Sequence, residues 1–303
     1  MSESLVSFSN ALAAVVERTS KLVVAVHGRG RGGSSGVLWK PGVIVTAEHA
    51  LRKDDDIRVT SGDGSSSAAE LAGRDPGTDL AVLKFAGSAA ETPGVNETPQ
   101  AGNLVLAIGR TAETGPNATL GIVSAVGPGW QTWRGGRVDR YIRLDLQLYH
   151  GSSGGAIVDA DGKLVGIATP VLSRIAPLAI PATTINRVVG QLLEKGWIPR
   201  GYLGVGLQPI ALPEHLRTKL GLQESSALII ISVEEGAAAA KAGIVIGDIL
   251  VSLNGQAIGD PNDVQVALGA ESIGKTIVAT VVRGGEKRDV SLVIGERPRG
   301  TRQ

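Results

Sequence analysis

Residues 148–169 read LYHGSSGGAIVDADGKLVGIAT. Ser152 and Ser153 stand side by side between glycines, ahead of an apolar run, a D-A-D-G turn and a second apolar run. Serine and glycine build tight turns, so by itself this stretch reads most simply as a turn between two strands. The other residues that could do chemistry are few. The chain has four histidines (His27, His49, His150, His215) and no cysteine. That excludes a disulfide framework, a thiolate metal site and a cysteine nucleophile. The histidines are too scattered for a metal cluster and there is no phosphate-loop signature, so no metal, nucleotide or other cofactor is expected.

His49 closes the apolar run GVIVTAEHA, and Asp79 opens DLAVLKF. A carboxylate at the head of an apolar strand needs a partner when buried, and an imidazole N–H is a suitable one. Asp75 is the rival, but the R-D-P-G around it reads as an exposed turn. His49, Asp79 and Ser153 occur in the order His, Asp, Ser, at intervals of 30 and 74 residues. Together these types perform acyl transfer. Serine is a weak nucleophile at neutral pH, histidine takes its proton, and a buried aspartate fixes the imidazole tautomer and stabilises its charged form. A backbone turned sharply at G-S-S-G-G can aim N–H groups at a developing oxyanion, each donor contributing about 2.7–4 kcal/mol.

These residues need elements to carry them. The 303 residues suit two or three domains. Thirty basic residues balance 29 acidic ones, so there is no basic excess of a general nucleic-acid binder. From Leu22 to Phe85 short apolar runs recur about every ten residues, broken by Gly, Pro, Asp and Ser, as in an all-β barrel or sandwich. Residues 87–102 read as a polar linker, and a second β set follows. His49 and Asp79 fall in the first set and Ser153 in the second, so a site between two barrels would unite them. GPGWQTWRGGR at 127–137 is a glycine-rich loop whose Trp130 and Trp133 form either a lid or self-packing. Residues 185–196 predict a helix with Ile185, Val188, Val189, Leu192 and Leu193 on one face. Residues 4–19 predict another, with Leu5, Phe8, Leu12, Val15 and Val16 aligned, either covering its own domain or meeting a second subunit.

After residue 197 the composition shifts. GYLGVGLQPI, ALIIISVEE and GDILVSLNG predict strands, AAAAKAG and PNDVQVALGA helices, and TIVATVVRGG with KRDVSLVIGE a hairpin across Gly284-Gly285. This is a separate α/β domain over 198–297, with 298–303 expected to be a disordered tail. The amino terminus lacks a basic start and a long apolar core, so it predicts neither a signal peptide nor a membrane span. The expectation is a cytoplasmic protein, or a periplasmic one if the terminus has been trimmed.

Five segments in order carry a resemblance. H-G-S-S-G-G-A-I-V-D-A-D-G-K-L-V-G-I-A-T resembles the G-N-S-G-G-P-L-V-N-x-x-G-x-V-I-G-I-N-T signature of the HtrA/Deg family of serine proteases. IVTAEHAL is similar to that family's V-L-T-N-x-H-V, GTDLAVLKF to its D-L-A-V-L-K, AIPATTINRVV to its F-A-I-P-S, and GYLGVGLQPI to the G-x-L-G-V strand opening its PDZ domain. The resemblance implies a mainly β chain: an N-terminal segment (1–20), a chymotrypsin-like double β-barrel protease domain (21–197) and an α/β PDZ domain (198–297). It implies Ser153 as nucleophile, His49 as general base, Asp79 as its orienter, and the N–H groups of Gly151 and Ser153 as oxyanion donors. Ser152 matches the residue before the nucleophile, usually Asn.

The same resemblance implies an endopeptidase acting on unfolded or misfolded proteins in protein quality control, and a homotrimer held by the N-terminal segment, with Phe8 and Leu12 as contacts. Tyr202, Leu203, Gly204 and Val205 would offer N–H groups to a peptide carboxylate, and Val264 and Leu268 would form the opposite wall. In trypsin-like sites a carboxylate six residues before the nucleophile selects basic side chains. Here that position is Gln147, which with Leu148 and Ala168 of I-A-T-P-V-L implies a first pocket for small or medium aliphatic residues. Two departures stand out: L-Q-L-Y-H replaces the usual A-A-I-N-x before the serine, and Tyr149 and His150 are bulky. They keep open an alternative, a protease-fold chaperone or PDZ scaffold that binds without cleaving. An esterase is disfavoured because the serine lacks the strand–elbow–helix setting of G-x-S-x-G hydrolases.

Overall fold

A computed structural model describes residues 2–28, 33–87, 94–111 and 114–298. The chain forms two compact units, Met1–Ile198 and Pro199–Gln303. In the first unit β1 (Val23–His27), β2 (Ser34–Lys40), β3 (Val43–Ala47), β4 (Ile57–Thr60), β5 (Ser66–Asp75) and β6 (Leu80–Phe85) close into an antiparallel barrel in the order β1-β2-β3-β6-β5-β4. Next come β7 (Leu104–Thr111), β8 (Gly115–Gly127), β9 (Trp130–Gln131), β10 (Arg137–Val138), β11 (Tyr141–Asp145), β12 (Ala156–Asp159), β13 (Leu164–Thr169) and β14 (Leu178–Pro181). The second barrel has the order β11-β14-β13-β12-β7-β8, and β9 and β10 form a small hairpin outside it.

The near-continuous apolar runs of these strands follow from burial on both faces. Successive side chains point to opposite faces of a strand. Val24, Val26, Ile44, Ala81 and Leu83 fill the first barrel. Their neighbours Val23, Val45, Leu80 and Val82 join Leu106, Ile108, Ile167 and Ile180 in a third apolar cluster shared by the two barrels. In the second barrel Val105, Ala107 and Ile157 point inward, while Leu106, Ile108, Ala156 and Val158 point to the shared cluster. That cluster fixes one barrel against the other, which any site spanning them requires.

Two helices finish this unit. α2 (Ala182–Lys195) buries Ile185, Val188, Val189 and Leu192 in the shared cluster, each burial stabilising by roughly 1.5–3 kcal/mol. α1 (Ser2–Ser20) is divided along its length: Val15 is buried, and Leu12 and Val16 pack on the shared cluster, whereas Leu5, Val6 and Phe8 are exposed. Leu12, half-buried, thus packs on its own domain, while Phe8 stands exposed on the same helix.

One expectation needs correction, at Asp75, and two others gain detail. The expected linker is anchored where it is described. Val95 bridges Leu164, and main-chain hydrogen bonds join Leu164 to Gly94 and Asn96, so 94–96 lie on the second barrel. Residues 88–93 fall outside the described residues. Asp75 is buried rather than exposed, because its carboxylate accepts the N–H groups of Gly77 and Thr78 and the Thr78 hydroxyl, closing an Asx-type turn. In the 127–137 loop, Trp130 packs edge-on against Tyr141 at 5.8 Å and touches the shared cluster, while Trp133 is exposed beneath Arg134.

The second unit contains β15 (Gly201–Tyr202), β16 (Val205–Ala211), α3 (Glu214–Leu220), β17 (Ser226–Val233), α4 (Ala238–Lys241), β18 (Ile249–Leu253), β19 (Gln256–Ala257), α5 (Pro261–Ala267), β20 (Thr276–Arg283), β21 (Glu286–Val293) and β22 (Gly295–Glu296). The main sheet runs β16-β17-β18-β20-β21, leaving β16 at an edge. Gly284 and Gly285, both with positive φ, turn the β20–β21 hairpin. Asp260 caps α5 in a reciprocal capping box with Asp263. α3 was not anticipated from the sequence. The tail beyond 298 lies outside the described residues.

Candidate active site

His49 lies in a single 3-10 turn, Glu48–Ala50, where β3 ends. Asp79 precedes β6 with φ of 57°, a left-handed conformation that Asp tolerates better than most residues. This kink lets one residue clamp the whole histidine turn. The Asp79 carbonyl accepts the Glu48 N–H at 3.0 Å, and Oδ1 accepts the His49 N–H at 2.9 Å. The same carboxylate lies 2.9 Å from His49 Nδ1 through both oxygens. A carboxylate only accepts, so Nδ1 carries the proton and Nε2 keeps its lone pair. Asp79 is fully buried, and Oδ2 also accepts the Thr169 hydroxyl at 2.5 Å. Thr169 belongs to β13 of the other barrel and is itself fully buried. Behind the turn, Arg74 of β5 donates to the buried Glu48 at 3.1 Å, to the Leu51 carbonyl at 3.1 Å and to Asp54.

The serine loop yields to a count of its main-chain hydrogen bonds. The Ser152 N–H donates to the Tyr149 carbonyl, closing a four-residue turn with Gly151 at its third position, φ 86°. His150 is not in the left-handed region, so the turn is type II, which needs glycine there. The Gly154 N–H donates to Ala168, and the Gly155 N–H to Ser152. The Gly151 carbonyl accepts the Ser35 hydroxyl, and the Ser153 carbonyl accepts the Ser35 N–H. Two donors remain. Among the described residues neither the Gly151 N–H nor the Ser153 N–H makes a hydrogen bond. Main-chain groups in such a place are nearly always paired, so two neighbouring unpaired amides mark a place for an acceptor. Ser153 Oγ and His49 Nε2 also make no hydrogen bond among the described residues, and apo sites are commonly this loose. The Ser152 hydroxyl instead donates to Asn117 at 3.1 Å in a buried position.

Of the pocket residues, Leu148 packs on the second-barrel cluster that contains buried Ala168, whereas Gln147 is exposed. Tyr149 is 56% exposed, so its bulk lies outside the turn. In the second unit, Leu203, Val264 and Leu268 are buried in one cluster, with Val205 and Leu207 packed against it. Val264 and Leu268 thus serve the core. Gly204 has φ of 75°, and among the described residues the Leu203 and Gly204 N–H groups make no hydrogen bond. Tyr202 is tied through its hydroxyl to Glu234 at 2.6 Å, which raises the phenol's pKa. Thr169 and Ser35 were not foreseen from the sequence. Both read as ordinary strand residues, and no local pattern singles them out.

A six-stranded barrel bearing the His–Asp pair, a second bearing the serine turn and a separate α/β unit after them make a chymotrypsin-like protease fold followed by a PDZ domain. Residues 34–167 match the trypsin-like peptidase domain family, and 201–294 match the PDZ domain family. The chain belongs to the HtrA/DegP family of serine endoproteases. It is 33% identical over 275 residues to a Brucella suis protein named probable periplasmic serine endoprotease DegP-like, covering 88% of this chain and 53% of that one. A Bartonella henselae protein of the same name is 35% identical over 274 residues, with the same coverage. The chain therefore spans about half the length of these relatives. Among solved structures, the serine endoprotease from Yersinia pestis is 30% identical with a TM-score of 0.72, covering 94% of this chain and 97% of that one. An HtrA-type protease AlgW with a decapeptide is 26% identical with a TM-score of 0.74, covering 95% and 99%.

Proposed function

We propose that this chain is a serine endopeptidase that cleaves unfolded or misfolded proteins in protein quality control, and that its PDZ domain captures C-terminal or extended peptides. The observation that carries the reading is the pair of unpaired amides at Gly151 and Ser153, in a chain whose His49 is held by a buried carboxylate. Ser153 Oγ attacks the scissile carbonyl carbon as His49 Nε2 takes its proton. The carbonyl oxygen becomes an oxyanion held by the two amides. His49 then protonates the leaving amine, the C–N bond breaks, and an acyl-enzyme remains. Water attacks the ester, again giving its proton to His49, which returns it to Ser153 Oγ as the acid product leaves. The Asp79 carboxylate holds the ring in place and stabilises the imidazolium.

Leu148 and Ala168 favour small or medium aliphatic residues before the cut, and a pocket selecting by shape alone discriminates by only about 1–3 kcal/mol per methylene. Exposed Leu5 and Phe8 on α1 support a subunit contact, and a homotrimer is expected. Light scattering that returns a monomer removes it. Among the described residues no helix is long and apolar enough to cross a membrane. The DegP-like relatives are named periplasmic, and a periplasmic location for this chain is checked by cell fractionation.

The experiment is digestion of a reduced, unfolded protein by wild type and Ser153→Ala, with and without a hydrophobic C-terminal peptide. Cleavage by wild type alone is expected, with fragment ends after aliphatic residues. No cleavage under any condition would turn the reading to a protease-fold binding protein.

A further inference from the structure

We propose that Ser35 is the positioning residue that keeps the oxyanion amides in their working geometry. The inference rests on Ser153 as nucleophile and Gly151 as oxyanion donor. Ser35 lies in β2 of the first barrel and is fully buried, yet its polar atoms are engaged at the serine loop of the second barrel. Its hydroxyl donates to the Gly151 carbonyl at 2.6 Å, and its N–H donates to the Ser153 carbonyl at 2.9 Å. One residue thus holds the carbonyls on both sides of Ser152.

The hydroxyl is itself aimed. It accepts the Arg110 N–H at 2.8 Å, leaving its own hydrogen for a second partner. The Arg110 carbonyl is a rival acceptor at 3.4 Å, much longer than the bond to Gly151. The Ser35 carbonyl in turn accepts the Thr46 hydroxyl at 2.6 Å, so the residue cannot turn away without breaking further bonds.

The consequence for catalysis follows from turn geometry. Type I and type II turns differ by a half-rotation of the central peptide. In this loop that peptide joins His150 to Gly151. Rotated, it would present the His150 carbonyl where the Gly151 N–H now stands, and an oxyanion would meet an acceptor instead of a donor. The next peptide, Gly151–Ser152, is tied at both ends, through the Ser152 N–H to Tyr149 and through the Gly151 carbonyl to Ser35. Removing the Ser35 hydroxyl leaves that carbonyl unpaired and frees the turn to relax. Ser35 touches neither substrate nor the reacting atoms. It acts through Gly151.

The test compares full-length wild type with Ser35→Ala, which removes the hydroxyl at nearly the same volume, and Ser35→Cys, which keeps a weak donor in a slightly larger side chain. Competent sites are counted by end-point labelling with a fluorophosphonate, and the label is mapped to its residue. Rates on a peptide substrate are then expressed per labelled site. In both variants kcat per site should fall about 10- to 100-fold, as for a weakened oxyanion donor, with KM within about twofold. The inhibition constant of a peptide aldehyde, which forms a tetrahedral adduct, should rise by the same factor. A kcat per site and an aldehyde affinity within about twofold of wild type overturn the proposal. So does a loss confined to the number of labelled sites, which marks a purely structural role. Label on a residue other than Ser153 in wild type overturns the nucleophile assignment, and the proposal with it.

Discussion

Thr169 and Asp79 lie ninety residues apart in the chain and are joined by a 2.5 Å hydrogen bond from the second barrel to the first. The bond completes a carboxylate that already accepts the N–H and Nδ1–H of His49. A fully buried carboxylate must have its lone pairs met, so the orientation of His49 depends on a hydroxyl supplied across the barrel interface.

Thr169→Val, which keeps the shape and removes the hydroxyl, should lower kcat/KM about 10- to 100-fold, as expected for a lost hydrogen bond to a charged group. Steady-state rates at pH 8 measure it. Unchanged rates would mean that Asp79 is held well enough by His49 alone.

Ser153→Ala and His49→Ala should each lower kcat by about 10⁴-fold or more. Ser152→Ala should keep most activity, because its hydroxyl points to Asn117 and not to His49. Equal losses in Ser152→Ala and Ser153→Ala would place the nucleophile elsewhere.

Gly204→Ala should weaken binding of a hydrophobic C-terminal peptide by about tenfold or more, since a side chain in the left-handed region costs about 1–2 kcal/mol. The added Cβ would also stand 2.1 Å from the Ala237 Cβ, which forces the loop to move. Fluorescence anisotropy with a labelled peptide reads the change, and cleavage of a short peptide should persist.

Asp248 gives the PDZ unit an acid-sensitive contact. Burial raises its pKa, but the Arg283 guanidinium at 2.7 Å and the Val245 N–H lower it, and the net direction is down from 3.8. The unfolded chain therefore takes up the proton more readily than the folded one. The stabilisation is present above about pH 3.8 and is lost as the pH falls through the lower folded value. Thermal melts should show the PDZ transition falling in this window for wild type. Asp248→Asn should show a lower transition at neutral pH and less acid dependence.

Much of this protein was legible in its sequence, for a local reason. Ten-residue spacing of apolar runs reports strands and turns, and the i, i+3, i+4 face of Ile185, Val188, Val189 and Leu192 reports α2. G-S-S-G-G reports a turn that only glycine can make at Gly151, and Gly284-Gly285 reports a hairpin. Each rests on backbone sterics or periodicity within a few residues, and composition displays those directly.

Tertiary structure alone decided what lies across the barrels. Ser35 and Thr169 are small hydroxyl residues in strands, chemically indistinguishable in the sequence from Ser34 or Thr46. Asp75 looks like a surface turn until the chain folds over it. Leu12 and Phe8 share a helical face, yet one packs on its own domain and the other is exposed. A hydrogen bond between residues 90 or 116 positions apart leaves no periodic trace, because it is made only when the two barrels pack together through their shared apolar cluster.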